Sequence, residues 1–234
     1  LAENNYNIVL VARDLPRLQE RAEQLQAKFK VQTHIIQADL ATDSGCGVVE
    51  QYIANNQIDV LINNAGFGIN KAFTVSHLAA EQQLLDVLVR TPMRLMHVAL
   101  PLMEQRNKGV VINVSSVASF IAGGTYSASK SYLTVLSESL HTERAGTNVK
   151  ISALCPGFTR TEFHQRGRMS MKGLPSFLWL DADELVAKAW SDALKGEALS
   201  IPGWQYQLLV FVIKRLPRSI VRKVGMNVRT KQRK

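Results

Sequence analysis

Tyr126 and Lys130 stand four residues apart, and the serine pair Ser115 and Ser116 precedes Tyr126 by eleven and ten residues. The segment from Tyr126 onward predicts a helix, because Ala128, Leu133, Val135 and Leu136 recur at helical intervals. Residues i and i+4 of a helix share a face, so the Lys130 ammonium would sit beside the Tyr126 phenol. A free tyrosine titrates near about pH 10. A neighbouring cation favours the phenolate and lowers that value. The group then moves toward neutral pH, where general acid–base catalysis works best. A hydroxyl from Ser115 or Ser116 would bind the same oxygen that Tyr126 protonates or deprotonates. An ordinary surface helix can carry the same pair, so the elements that position it decide its meaning.

Those elements alternate. Residues 7–12 form an apolar run of strand length. Asp14 is a good N-cap and Pro16 suits a first turn, so a helix is predicted over 15–29. A second strand is predicted at 33–38, a helix at 48–54 and a third strand at 58–63, which runs into Asn64-Ala65-Gly66. A long helical pattern covers 78–103, with Pro92 and Pro101 as expected kinks. Further strands are predicted at 109–114 and 149–154, the second followed by Pro156-Gly157, and a last helix starts at Asp181 or Asp183. Alternation of this kind predicts an α/β fold, a doubly wound, Rossmann-like parallel sheet in three layers. Ligands of such sheets bind at the carboxyl ends of the strands. Arg13, Asp39, Asn64–Gly66, Ser115/Ser116 and Pro156–Gly157 all fall there.

The chain of 234 residues is 46% hydrophobic and 20% charged, enough to bury a real core. Its two cysteines, Cys46 and Cys155, form no disulfide framework and point to a reducing, cytoplasmic compartment. No signal-peptide pattern opens the sequence, and no apolar run approaches the roughly 18 residues of a membrane span. The five histidines show no metal-ligand spacing. Residues 201–234 hold nine of the 28 basic residues and no acidic one, leaving 19 basic against 19 acidic elsewhere. A nucleic-acid-binding core is therefore not expected. Residues 1–200 are read as the catalytic domain. The stretch 201–234 is read as a basic amphipathic tail, suited to peripheral contact with an anionic membrane or to a homo-oligomer contact.

Six motifs occur in order: VLVAR with Arg13, QADL with Asp39 and Leu40, NNAG at Asn63–Gly66, NVSS at Asn113–Ser116, YSASK at Tyr126–Lys130, and CPG at Cys155–Gly157. In this order the chain resembles the short-chain dehydrogenase/reductase family over about residues 1–194. The resemblance implies hydride transfer between NAD(P)(H) and an alcohol or carbonyl. It makes Tyr126 the general acid/base, Lys130 its partner and ribose ligand, and Ser116 the group that binds the substrate oxygen. It further implies that Asn64, Ala65 and Gly66 pack against the cofactor and that Asp39 and Leu40 meet the adenine. Pro156, Gly157 and Thr159 would border the nicotinamide. Arg13, where NAD enzymes carry an acidic residue, suits the 2′-phosphate of NADP, because a guanidinium grips phosphate bidentately.

Three features depart from the family pattern. The glycine-rich turn, expected roughly 20 residues before Arg13, falls before Leu1, so the first strand lies outside this sequence and weak cofactor binding is expected. Leu88 stands where the family usually has a relay asparagine. The loop from Ser116 to Tyr126 is short. His164 and the loop around Met169–Met171 are expected to line and cover an apolar substrate, while His97 and Cys155 are expected to be structural. The expected function is an NADP-dependent oxidoreductase acting on a hydrophobic alcohol or carbonyl. The alternative is a non-catalytic nucleotide-binding or membrane-associated protein that keeps the fold.

Overall fold

Local signals set the first half of the chain. The Asp14 carboxylate accepts from the Arg17 amide at 3.1 Å and caps helix α1, Leu15–Phe29. Lys30, at φ 59°, ends it by donating its amide to Gln26. Thr42 caps α2, Asp43–Asn55, through the Gly45 amide at 3.0 Å. Strand β1, Ile8–Ala12, pairs in parallel with β2, Thr33–Gln37, in register Ile8 to Thr33. The computed structural model describes residues 1–163, 175–223 and 225. It divides into two compact units, Leu1–Gln57 and Ile58–Lys234. Leu18, Ala22, Ile36, Cys46, Val49 and Ile53 are among the buried residues of the first.

The second unit holds four parallel strands in the order β3-β4-β5-β6. These are Val60–Asn63, Gly109–Val114, Val149–Leu154 and Leu199–Ser200. β4 and β5 are almost wholly buried, as apolar runs inside a parallel sheet must be. Helices α3 (Leu78–Leu85), α4 (Thr91–Gln105), α5 (Thr125–Glu143), α6 (Ala182–Lys195) and α7 (Trp204–Ile213) complete the unit. Leu185, Ala189 and Ala193 of α6 pack on Ile112 and Leu154 of the sheet. The chain thus has the expected Rossmann-like fold, parallel strands with flanking helices, and its strands are hydrogen-bonded as a pair and a set of four.

Three elements differ from expectation, the first being α2, which starts at Asp43 rather than at 48 because Thr42 caps it. The helical pattern over 78–103 is interrupted by a π turn at Asp86–Arg90, not by its prolines. Pro92 sits at the junction of the π turn with α4, where the preceding residues are already helical, and Pro101 is accommodated inside α4. The segment from 201 onward, set apart in sequence by its charge, begins with α7, whose Tyr206, Val210 and Ile213 are buried.

Candidate active site

A buried polar chain fixes the elements that carry the site. The Asn63 amide at the end of β3 donates to Asn113 Oδ1 on β4 at 2.8 Å. Asn113 Nδ2 donates to Ser137 Oγ on α5 at 2.9 Å, and Ser137 donates to the Leu133 carbonyl at 2.6 Å. Every link is satisfied, so the network specifies how two strands and one helix sit together.

The two serines have different partners. Ser115 is buried and donates to the Lys130 carbonyl at 2.9 Å, and its oxygen lies 2.6 Å from Thr134 Oγ1. It ties β4 to α5. The Ser116 hydroxyl instead stands beside the Tyr126 phenol, close enough to favour its ionised form. It also donates to the Pro156 carbonyl at 3.4 Å and accepts from the Ala118 amide at 3.1 Å. Gly124, at φ 86°, caps α5 in a conformation open to glycine and makes Tyr126 the second residue of the helix.

Lys130 is 4% exposed. Its ammonium donates to the Val114 carbonyl at 2.5 Å and lies 5.8 Å from the Tyr126 ring centroid. Burial pushes the Tyr126 hydroxyl up to about 12, with the Ser116 hydrogen bond pulling it down in part. Burial lowers Lys130 to about 8. The direction for Tyr126 is therefore opposite to the expected one, because burial disfavours the phenolate.

The other strand ends frame this centre. Asn64, Ala65 and Gly66 form an exposed turn after β3. A Cβ at Gly66 would come within 3.0 Å of Leu88 Cδ2 and 3.8 Å of Lys130 Nζ. Leu88 is buried on the π turn, and its methyl group faces the bare backbone of Gly66 beside the ammonium. After β5, the Pro156 carbonyl accepts from the Val117 amide at 3.0 Å. Thr159 is buried, with its hydroxyl on the Gly157 carbonyl at 3.1 Å.

Sequence reasoning missed Tyr206 of α7. Its ring occupies the space that a Cβ on Gly157 would need, and its hydroxyl accepts from the Phe158 amide at 3.0 Å. The signal was there: Tyr206, Val210 and Ile213 recur at helical spacing and mark the buried face of an otherwise apolar run.

In the first unit, Arg13 follows β1 with its side chain 71% exposed, and its guanidinium is 4.0 Å from the Asp39 carboxylate. Asp39 also accepts from the Ala41 amide at 3.0 Å, which orders the turn through Leu40 into α2. His164 and Met169–Met171 lie outside the described residues. Among the described residues no group of three or more histidine, cysteine, aspartate or glutamate side chains could hold a metal ion.

A family model described as short chain dehydrogenase matches residues 1–171, which include every motif above. The chain belongs to the short-chain dehydrogenase family. With that membership it is an oxidoreductase acting between alcohol and carbonyl. Among solved structures, a short-chain dehydrogenase from Sphingobium yanoikuyae in complex with NADPH superposes with a TM-score of 0.82 at 27% identity, covering 92% of this chain and 88% of that one. Hydroxysteroid dehydrogenase-like protein 1 of Gallus gallus is 26% identical over 227 residues, 94% of this chain and 67% of the relative. A very-long-chain 3-oxoacyl-CoA reductase-like protein of Arabidopsis thaliana is 26% identical over 230 residues, 94% of this chain and 72% of the relative.

Proposed function

We propose that this chain is an NADP-dependent reductase of apolar ketones or aldehydes, with Tyr126 as the general acid. One observation carries the reading. The Tyr126 phenol stands with Ser116 and the buried Lys130 ammonium, whose Nζ lies 5.8 Å from its ring centroid, and burial favours its protonated form. A protonated phenol at pH 7 is a donor, which is what a carbonyl oxygen gaining negative charge requires. Ser116 would share that oxygen and orient it toward the phenol.

The residues present fit a dinucleotide. Gly66 leaves bare backbone next to Lys130, and a side chain there would fill the approach. Lys130 would hold the ribose of the nicotinamide half, with Pro156, Gly157 and Thr159 along its border. Arg13 would grip the 2′-phosphate, with Asp39 and Leu40 at the adenine. When bound, NADPH would supply the hydride. Lys130 would support the transfer through its positive charge, and Leu88 offers no hydrogen bond to a relay water at this position. The proton that Tyr126 gives up must then be replaced by another route. The relatives are named for their likeness to a hydroxysteroid dehydrogenase and a very-long-chain 3-oxoacyl-CoA reductase, which supports an apolar substrate class.

A second reading concerns location. α7 turns Trp204, Leu208 and Phe211 outward, at 72%, 56% and 54% exposure, next to Lys214 and Arg215. We infer that this face rests on an anionic bilayer. No described helix is long and apolar enough to cross a membrane.

The enzymatic reading is tested by following NADPH oxidation with a panel of apolar ketones and aldehydes. Turnover is expected in the wild type, with a loss of at least about 100-fold in Tyr126→Phe, the range that general acid catalysis supplies. Activity unchanged by that substitution sinks the mechanism.

A further inference from the structure

The turn after β5 is held from a direction that the motifs do not reveal. Tyr206 is 2% exposed, on the buried face of α7. Its ring lies flat against Gly157, where any larger residue would collide with it. Its hydroxyl is used in both senses: it accepts from the Phe158 amide at 3.0 Å and donates to the Leu178 carbonyl at 2.5 Å. The two backbones joined in this way also pair directly. Leu180 donates to the Phe158 carbonyl at 2.8 Å, and Arg160 donates to the Leu180 carbonyl at 3.1 Å. Gln205, the neighbour of Tyr206, donates its side-chain amide to the Phe177 carbonyl at 3.0 Å. On the other side of the same turn, the Pro156 carbonyl takes the Ser116 hydroxyl at 3.4 Å. A continuous set of contacts therefore runs from α7 through Phe158, Gly157 and Pro156 to Ser116, which stands beside the Tyr126 phenol.

We propose that Tyr206 is a positioning residue: from α7 it fixes the Pro156–Gly157–Phe158 turn against the segment at 177–180, and so sets the wall of the site that Ser116 leans on. The role of that wall in turnover rests on the reductase reading above; the clamp itself does not. A phenol fits the task because it offers a flat face for a glycine, one acceptor and one donor. Phenylalanine keeps the face and loses both hydrogen bonds. Burial raises the Tyr206 hydroxyl, so it stays a donor through neutral pH.

The test is hydrogen exchange on the full chain, wild type against Tyr206→Phe, with turnover measured in parallel. In the wild type the Phe158 amide should be protected. In Tyr206→Phe its exchange, and that of 178–180, should quicken about tenfold, the equivalent of one net hydrogen bond, while the amides of β5 stay unchanged. The kcat for carbonyl reduction should fall about tenfold with KM for the carbonyl unchanged. A Phe158 amide that is unprotected in the wild type overturns the clamp, whether or not the variant folds. So does local exchange that the substitution leaves unaltered, or exchange that rises equally everywhere. Quickened local exchange with unchanged kcat overturns the positioning role. An inactive wild type sinks the reductase reading instead, and the exchange arm then decides the clamp alone.

Discussion

Tyr126 and Lys130 both resist carrying charge where they sit, and the resistance has measurable consequences. Burial holds the phenol protonated up to about pH 12 and the ammonium charged only up to about pH 8. Between neutral pH and about 8 the pair is a neutral donor beside a cation, the state that suits reduction. Above about pH 8 the cation is lost, so the reductive rate should fall there. Lys130→Met should be slow throughout and show no such limb; a wild-type rate that holds level to pH 10 would contradict this. Stability gives an independent reading. Lys130 ordinarily titrates at 10.5. Between about pH 8 and 10.5 the unfolded chain therefore binds a proton that the folded chain has released. Where the unfolded state binds more protons, stability rises with pH. The wild type should gain stability relative to Lys130→Met as the pH goes from 8 to 9.5, as urea midpoints would show; a constant or shrinking difference is the contrary result. The identity and spacing of Tyr126, Lys130 and Ser116 were legible in the sequence, because chemistry is written in residue types. The direction of the tyrosine shift was not, because it depends on how much water the folded chain excludes. The choice between Ser115 and Ser116 likewise needed Thr134 and the Lys130 carbonyl, which claim Ser115.

Elements were legible where a local signal ends them. α1 follows Asp14 and Pro16 to the residue, and β4 and β5 are apolar runs that only a covered parallel sheet can use. The π turn at Asp86–Arg90 left no such mark. It widens the backbone by a hydrogen-bond shift rather than by a residue type, while the prolines nearby drew the expectation to themselves. The Asn63–Asn113–Ser137 chain was equally silent, since an asparagine in a strand reads as a weak strand former until its partners are known. Removing its centre should be expensive. Asn113→Ala strands the Asn63 amide, while the Ser137 hydroxyl keeps its bond to the Leu133 carbonyl, at about 1–3 kcal/mol for the buried group left unpaired. Urea unfolding should show a loss of at least about 1 kcal/mol; a smaller loss would mean that water enters and repairs the network. Gly124 offers a second check on the helix that carries Tyr126. Its φ of 86° and ψ of −165° lie where essentially only glycine is at ease. Gly124→Ala should cost about 1–3 kcal/mol, measured in the same way, and unchanged stability would show that the α5 start can relax.

At the scale of the molecule, charge and apolar surface are segregated together. The net charge of +9 arises within 201–234, which has no acidic residue. The described part of that segment sets Arg215 over the Phe211 ring of α7, with Lys214 beside it and Arg218, Arg222 and Lys223 following in the chain. Exposed apolar patches bordered by charge mark contact surfaces. A second copy of the chain is a poor occupant, because a two-fold contact would bring these cations together. An anionic bilayer satisfies both halves, taking the rings into its interface and the cations at its surface, at about 1 kcal/mol per basic residue near the headgroups. The chain should therefore sediment with phosphatidylserine-containing vesicles, release as salt is raised, and ignore pure phosphatidylcholine. Trp204→Ser/Leu208→Ser/Phe211→Ser removes the outward rings and spares Tyr206, Val210 and Ile213, so the fold should persist while sedimentation falls. If the triple variant sediments like the wild type, the bilayer is not what this face meets. If it instead turns a dimer into a monomer on gel filtration, the like-charge argument is wrong and the face belongs to a second copy.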